Sequence, residues 1–149
     1  MKSIRVFFFL LIFSCTSNAV SAQYKISQLI DENKIQILPP YKYDGFIMKE
    51  FAFELINKDM NIEFVAFKNQ KYQLLFCAST FEEEVKITIY NKNNPSEKIG
   101  EKIVGGTVKN WTIELEKSGT YSIVYEIPPS NTDVEHKACL VMLIGFTGK

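Results

Sequence analysis

Val85-Lys86-Ile87-Thr88-Ile89-Tyr90 carries a branched apolar side chain at every second position, with Lys86 and Thr88 between them. Successive side chains of an extended chain point to opposite faces, so this spacing sets Val85, Ile87 and Ile89 against a core and turns their neighbours toward water. Trp111-Thr112-Ile113-Glu114-Leu115-Glu116 repeats the pattern, and Tyr121, Ile123, Tyr125 and Ile127 carry it on after the turn residues Ser118-Gly119. Pro128-Pro129 then ends the run, because proline has no amide hydrogen for a strand ladder. Upstream, Phe51, Phe53 and Leu55 share one face. Three further segments, Ile62 to Phe67, Tyr72 to Ala78 and Ala138 to Phe146, are apolar on both faces, as expected of central strands covered on two sides.

Turn residues punctuate these runs at Asn57-Lys58-Asp59, Lys68-Asn69-Gln70, Asn91 to Ser96, Gly105-Gly106 and Ser130 to Asp133. No long amphipathic helical pattern lies among them. The reading is an all-β fold, an antiparallel β-sandwich of jelly-roll or immunoglobulin-like type with about 7–8 strands.

The first 22 residues have the make-up of an export signal. Lys2 and Arg5 give a positive start, Val6 to Phe13 an apolar core, and Val20-Ser21-Ala22 a small-residue cleavage pattern before Gln23. The apolar run stops at Ser14, too short for the roughly 20 residues a spanning helix needs, so no transmembrane segment is expected after cleavage. Ile12-Phe13-Ser14-Cys15 offers a second route, lipid attachment through Cys15, although Phe13 fits that pattern poorly and the downstream site is cleaner. The organisation expected is therefore a signal peptide over 1–22, an N-terminal lead-in over 23–44 and a β-sandwich over 45–149. The place of action is outside the cell, in the periplasm or at the cell envelope.

Cleavage removes Lys2 and Arg5, so the 17 basic residues fall to 15 lysines with no arginine; against 17 acidic residues the net charge is 15 minus 17, or −2. That balance lacks the basic field that nucleic-acid backbones require, and arginine, the side chain suited to bidentate phosphate recognition, is absent; no nucleic-acid partner is expected. Of the cysteines, Cys77 and Cys139 remain, in a compartment where a disulfide persists. Closing the loop between them would stabilise the fold by roughly 4 kcal/mol in the chain-entropy model. Each also sits in an apolar run, Leu74-Leu75-Phe76-Cys77 and Ala138-Cys139-Leu140-Val141, which suits two buried thiols equally well.

Candidate chemistry is sparse. His136 is the single histidine, with Asp133 and Glu135 nearby, and this spacing matches no zinc motif. His136 and Cys139 can be written as base and nucleophile, yet Cys139 is more simply a core residue or disulfide partner. Glu82-Glu83-Glu84 is the densest acidic run, but no Asp-x-Asp-x-Asp-Gly loop completes a calcium cage, and the serines lack a Gly-x-Ser-x-Gly elbow. No metal, cofactor or catalytic residue is assigned. Tyr41 and Tyr43, following Pro39-Pro40 in a stretch expected to be exposed, are the candidate ligand-binding residues, since an aromatic ring offers an apolar face and a polar edge to a sugar or a protein. Trp111 reads as a core anchor. Asn110-Trp111-Thr112 fits the N-glycosylation sequon, which matters only in a host with that machinery.

Val85 to Tyr90, Trp111 to Leu115 and Ser118-Gly119-Thr120-Tyr121-Ser122-Ile123 together resemble the strand, strand, Gly-x-Tyr pattern of secreted bacterial β-sandwich modules of the pre-peptidase C-terminal type. Such modules are generally accessory and binding domains, so the resemblance implies a noncatalytic role and names no ligand residue. The expected function is a secreted or envelope-associated binding module for protein or glycan. The alternatives are a self-assembling envelope component, whose edge strands make it oligomeric, and a small exported hydrolase.

Overall fold

The computed structural model describes residues 26–54, 56–78, 83–130 and 136–148, in two compact units, Met1–Glu32 and Asn33–Lys149. The expected export segment 1–22 and Cys15 lie outside the described residues, as do Glu82, Asp133 and Glu135. In the first unit the described residues are helical, with the Gln28 amide donating to the Glu32 carboxylate four residues on at 2.7 Å.

The second unit opens with a short 3-10 turn, Lys34–Gln36, and continues as eight strands: β1 (Lys42–Phe53), β2 (Lys58–Ala66), β3 (Gln70–Cys77), β4 (Val85–Asn91), β5 (Asn94–Val104), β6 (Asn110–Leu115), β7 (Gly119–Ile127) and β8 (His136–Gly148). They form two four-stranded antiparallel sheets, A in the order β1-β8-β3-β6 and B in the order β2-β7-β4-β5. Each sheet alternates strands from the two ends of the sequence, the interleaving of a jelly roll. Of the two sandwich types expected, the strand order selects this one.

Alternation does what the sequence pattern implies. Val85, Ile87 and Ile89 of β4, Tyr121, Ile123 and Tyr125 of β7, and Leu74 and Phe76 of β3 are all buried in one apolar cluster between the sheets. Phe76 stacks on Trp111 at 5.2 Å and meets Tyr125 edge-on at 6.4 Å, so Trp111 does anchor the core. Asn69 turns the chain between β2 and β3 with φ 63°, in the left-handed region that asparagine tolerates.

Three departures from the expected pattern have physical causes. Asn91 to Ser96 is expected to turn, but Asn94 already opens β5, an edge strand, polar or half-exposed along most of its length, with Pro95 near its start and register shifts against β4. Asn57-Lys58-Asp59 was expected to turn, but Lys58 and Asp59 already pair with Ile127 and Glu126. β1 starts at Lys42, ahead of the boundary expected at 45, because an irregularity between Tyr43 and Gly45 interrupts its alternation.

Candidate functional site

The two central strands of sheet A, β3 and β8, carry apolar residues on both faces, and the outward ones need a cover. Leu75, Val141 and Leu143 point away from the sandwich core, in register beside one another, and are fully buried. Part of the cover is the chain's own segment 33–41. Ile37 and Tyr41 are each only 8% exposed, and a Cβ added to Gly145 of β8 would lie 2.5 Å from Ile37 Cγ2 and 3.3 Å from Tyr41 Cβ. Glycine at 145 is what lets the segment approach so closely. The Asn110 amide ties it down, donating to Asn33 Oδ1 at 3.0 Å and Gln36 Oε1 at 3.3 Å, so the sequon asparagine is already engaged.

This arrangement separates the two candidate tyrosines. Tyr41 was expected in an exposed stretch but is buried; its hydroxyl is pushed up to about 12 by burial and by a hydrogen bond to Glu114. The cause lies in sheet A itself, whose outward apolar face recruits the ring. Tyr43 stays 38% exposed, and the structure sets it in a row with two residues not singled out from sequence, Phe46 and Met48, at 47% and 37%. The three oppose Gly145, Leu143 and Val141 of β8, so they share the outward face of β1, an edge strand.

The outer face of sheet B is polar. Asp59, Glu126, Lys86 and Ile103 form one transverse row across all four strands; Asn61, Val124, Thr88 and Glu101 form the next. Lys86 pairs with Glu126 at 2.8 Å, Lys98 with Glu101 at 2.9 Å, and Ser122 donates to Asn61 at 2.9 Å. The hydrogen bond from Lys86 to Glu126 raises the lysine's pKa, and the one from Lys98 lowers that of Glu101, so both stay charged through neutrality. At one end a groove of about 900 Å³ is lined by Asp59, Glu83, Glu84, Glu126 and Pro128 among others. Among the described residues no three His, Cys, Asp or Glu side chains gather as a metal group.

Cys77 and Cys139 lie on neighbouring strands of sheet A and on its outward face. Cys77 opposes Val141, two residues from Cys139 along β8, and no disulfide joins the two. Burial pushes Cys77 up to about 12 and Cys139, with help from the Glu50 charge, to about 11. His136 opens β8 opposite Phe53, and its side chain lies outside the described residues. Among the described residues no helix is long and apolar enough to cross a membrane.

No protein-family model matches the chain, and no curated protein matches it by sequence. Solved structures do resemble it. The periplasmic inhibitor of g-type lysozyme from Aeromonas hydrophila matches with a TM-score of 0.46 at 12% identity, over 69% of this chain and 87% of its own. A Bacillus endospore-appendage protein of disulfide-linked pili matches with a TM-score of 0.39 at 11% identity, over 73% and 89%. The CBM36-1 domain of a multidomain xylanase from the hindgut metagenome of Trinervitermes trinervoides gives 0.34 at 12%, over 74% and 92%. These are distant likenesses to bacterial β-sandwich proteins, and what the chain itself carries is an eight-stranded sandwich of two four-stranded antiparallel sheets.

Proposed function

We propose that the chain is an exported, noncatalytic binding module of the cell surface or envelope, and that its partner is a protein engaged through Tyr43, Phe46 and Met48. The observation that carries this reading is the row itself: three large side chains, exposed, on one face of an edge strand, beside outward residues of β8, Val141 and Leu143, that are fully buried. Exposed apolar surface concentrated in this way marks an interaction site more than scattered exposure does. A protein suits the row better than a glycan, because Phe46 and Met48 have no hydrogen-bonding group with which to read sugar hydroxyls.

Export rests on the 1–22 pattern, and the resemblance to pre-peptidase C-terminal modules agrees with an accessory role.

The test is a photo-crosslinking amino acid at position 46 of the full chain in its host. Irradiation is expected to yield a covalent adduct to a protein, lost when Tyr43 and Met48 are both changed to serine. A folded, exported chain that gives no protein adduct would overturn the proposal.

A further inference from the structure

We infer that the partner strand at this row is β1 of a second copy, the two strands pairing antiparallel about a two-fold axis at Ile47. The inference rests on the reading of the β1 row as a protein-binding surface and names its occupant. Joining β1 to its symmetry mate would fuse two four-stranded A sheets into one sheet of eight.

The four sheet edges are not equivalent. β6 spans 6 residues, β5 carries Pro95 and register shifts, and β2 presents Lys58, Asp59 and Glu63 along its outer edge. Prolines, bulges, charges and short length are the devices that discourage strand addition. Over 45–50, β1 has no proline and an uninterrupted register against β8.

The sequence of β1 is self-complementary in one register. Paired residues must lie on the same face, which restricts a two-fold axis to pass at a residue. Placed at Ile47, it opposes Phe46 with Met48 of the mate on the outward face, Met48 with Phe46, and Ile47 with itself on the inward face. At Phe46 it opposes Met48 with Asp44, and at Met48 it opposes Ile47 with Lys49 and Phe46 with Glu50. Only the first register sets one apolar side chain against another at three consecutive positions; its ends oppose Asp44 with Glu50, at the irregularity between Tyr43 and Gly45, and the pairing is confined to 45–49.

The same register also accommodates Lys49, an inward-facing charge on an edge strand. Lys49 falls opposite Gly45, where nothing lies within 4 Å of an added Cβ. The long lysine stem of one chain thus meets open space on the other, with its ammonium free to reach solvent. The contact is isologous, as two-fold dimers require. The 45–49 pairing falls below the roughly 1,200–2,000 Å² of a standard interface, so a reversible dimer with a dissociation constant of about 10–100 µM is expected.

Sedimentation of the 23–149 chain across about 1 µM to 1 mM should show monomer passing to dimer. Phe46→Glu with Met48→Glu should stay monomeric, with an unchanged melting curve as the folding control. Register is read by cysteine pairing under glutathione disulfide: a mixture of Phe46→Cys and Met48→Cys chains should cross-link at least tenfold faster than either alone. A chain monomeric at 1 mM, or cross-linking no faster in the mixture, would overturn self-pairing. Adducts to a different protein in the photo-crosslinking experiment would still support the binding surface, so the two readings fail separately.

Discussion

Replacing Gly145 by alanine tests whether segment 33–41 is a packed part of the domain. The added Cβ would stand 2.5 Å from Ile37 Cγ2 and 3.3 Å from Tyr41 Cβ, where carbon atoms in contact keep about 3.5–4.0 Å. Ile37 must therefore retreat by about 1 Å. Its colliding methyl sits on a stiff branched carbon, and the hydrogen bonds from Asn110 to Asn33 and Gln36 oppose a shift of the segment. Overpacking of this kind costs about 1–3 kcal/mol, while removing a glycine from a strand returns about 0.5–1 kcal/mol by restricting the unfolded chain. The net loss expected is about 1–2 kcal/mol, which at a urea dependence of about 1–3 kcal/mol/M lowers the midpoint by about 1 M. Gly45→Ala is the internal control, because its Cβ meets nothing within 4 Å and it should be neutral or slightly stabilising. Adding Ile37→Ala to Gly145→Ala should cost less than the sum of the separate changes, with a coupling of about 1 kcal/mol. Equal midpoints for Gly145→Ala and Gly45→Ala, or strict additivity with Ile37→Ala, would refute the packing of 33–41 on sheet A.

Other expectations follow from the core and from the titrations. Phe76→Ala opens a cavity between Trp111 and Tyr125 and should cost about 3–5 kcal/mol by urea unfolding, with the emission of Trp111, the single tryptophan, shifted to the red. Cys77 and Tyr41 rise to about 12 from ordinary values of 9.0 and 10.0, and Cys139 to about 11 from 9.0. Each raised group contributes stability that is complete below its unfolded value and lost as pH climbs toward the folded one. The urea midpoint should therefore hold steady below about pH 8 and fall progressively above pH 9, where the unfolded chain releases protons that the folded chain retains. A midpoint that rises over pH 9–11 would contradict the buried, protonated thiols. Thiol titration at pH 8 should find two reactive groups per mature chain in denaturant and slow reaction of Cys77 in the native state.

How much of this fold can be read from sequence depends on where each strand sits. β4 and β7 have one face on the core and one in water, so their alternation is unambiguous. β3 and β8 are covered on both sides, and Leu74-Leu75-Phe76-Cys77 and Leu140-Val141-Met142-Leu143 show it as unbroken apolar runs. β5 fails the test because an edge strand needs little apolar content: Asn94 to Lys98 pack against nothing that demands a hydrophobic residue. The start of β1 fails for a different reason. The irregularity at Asp44 shifts the face of Tyr43 relative to Phe46, so a fixed period of two cannot connect them.

The exposed row of β1 was legible in part, and its missing signal is one of parity. Phe51 and Phe53 take odd positions and pack inward, whereas Phe46 and Met48 take even positions of the same strand and point out. A strand that is apolar on both faces must have its second face covered or leave it exposed, and composition does not say which. In β8 the outward residues Val141 and Leu143 are buried, whereas Tyr43, Phe46 and Met48 next to them are left open. Segment 33–41 packs on Gly145 and is tied to Asn110, while Phe46 and Met48 stay exposed on β1. Coverage is set by where other segments come to pack, a property of folded geometry that no pattern of residues along the chain encodes. What sequence could state is the demand for cover; where the chain fails to meet that demand itself is where a partner has surface to bury.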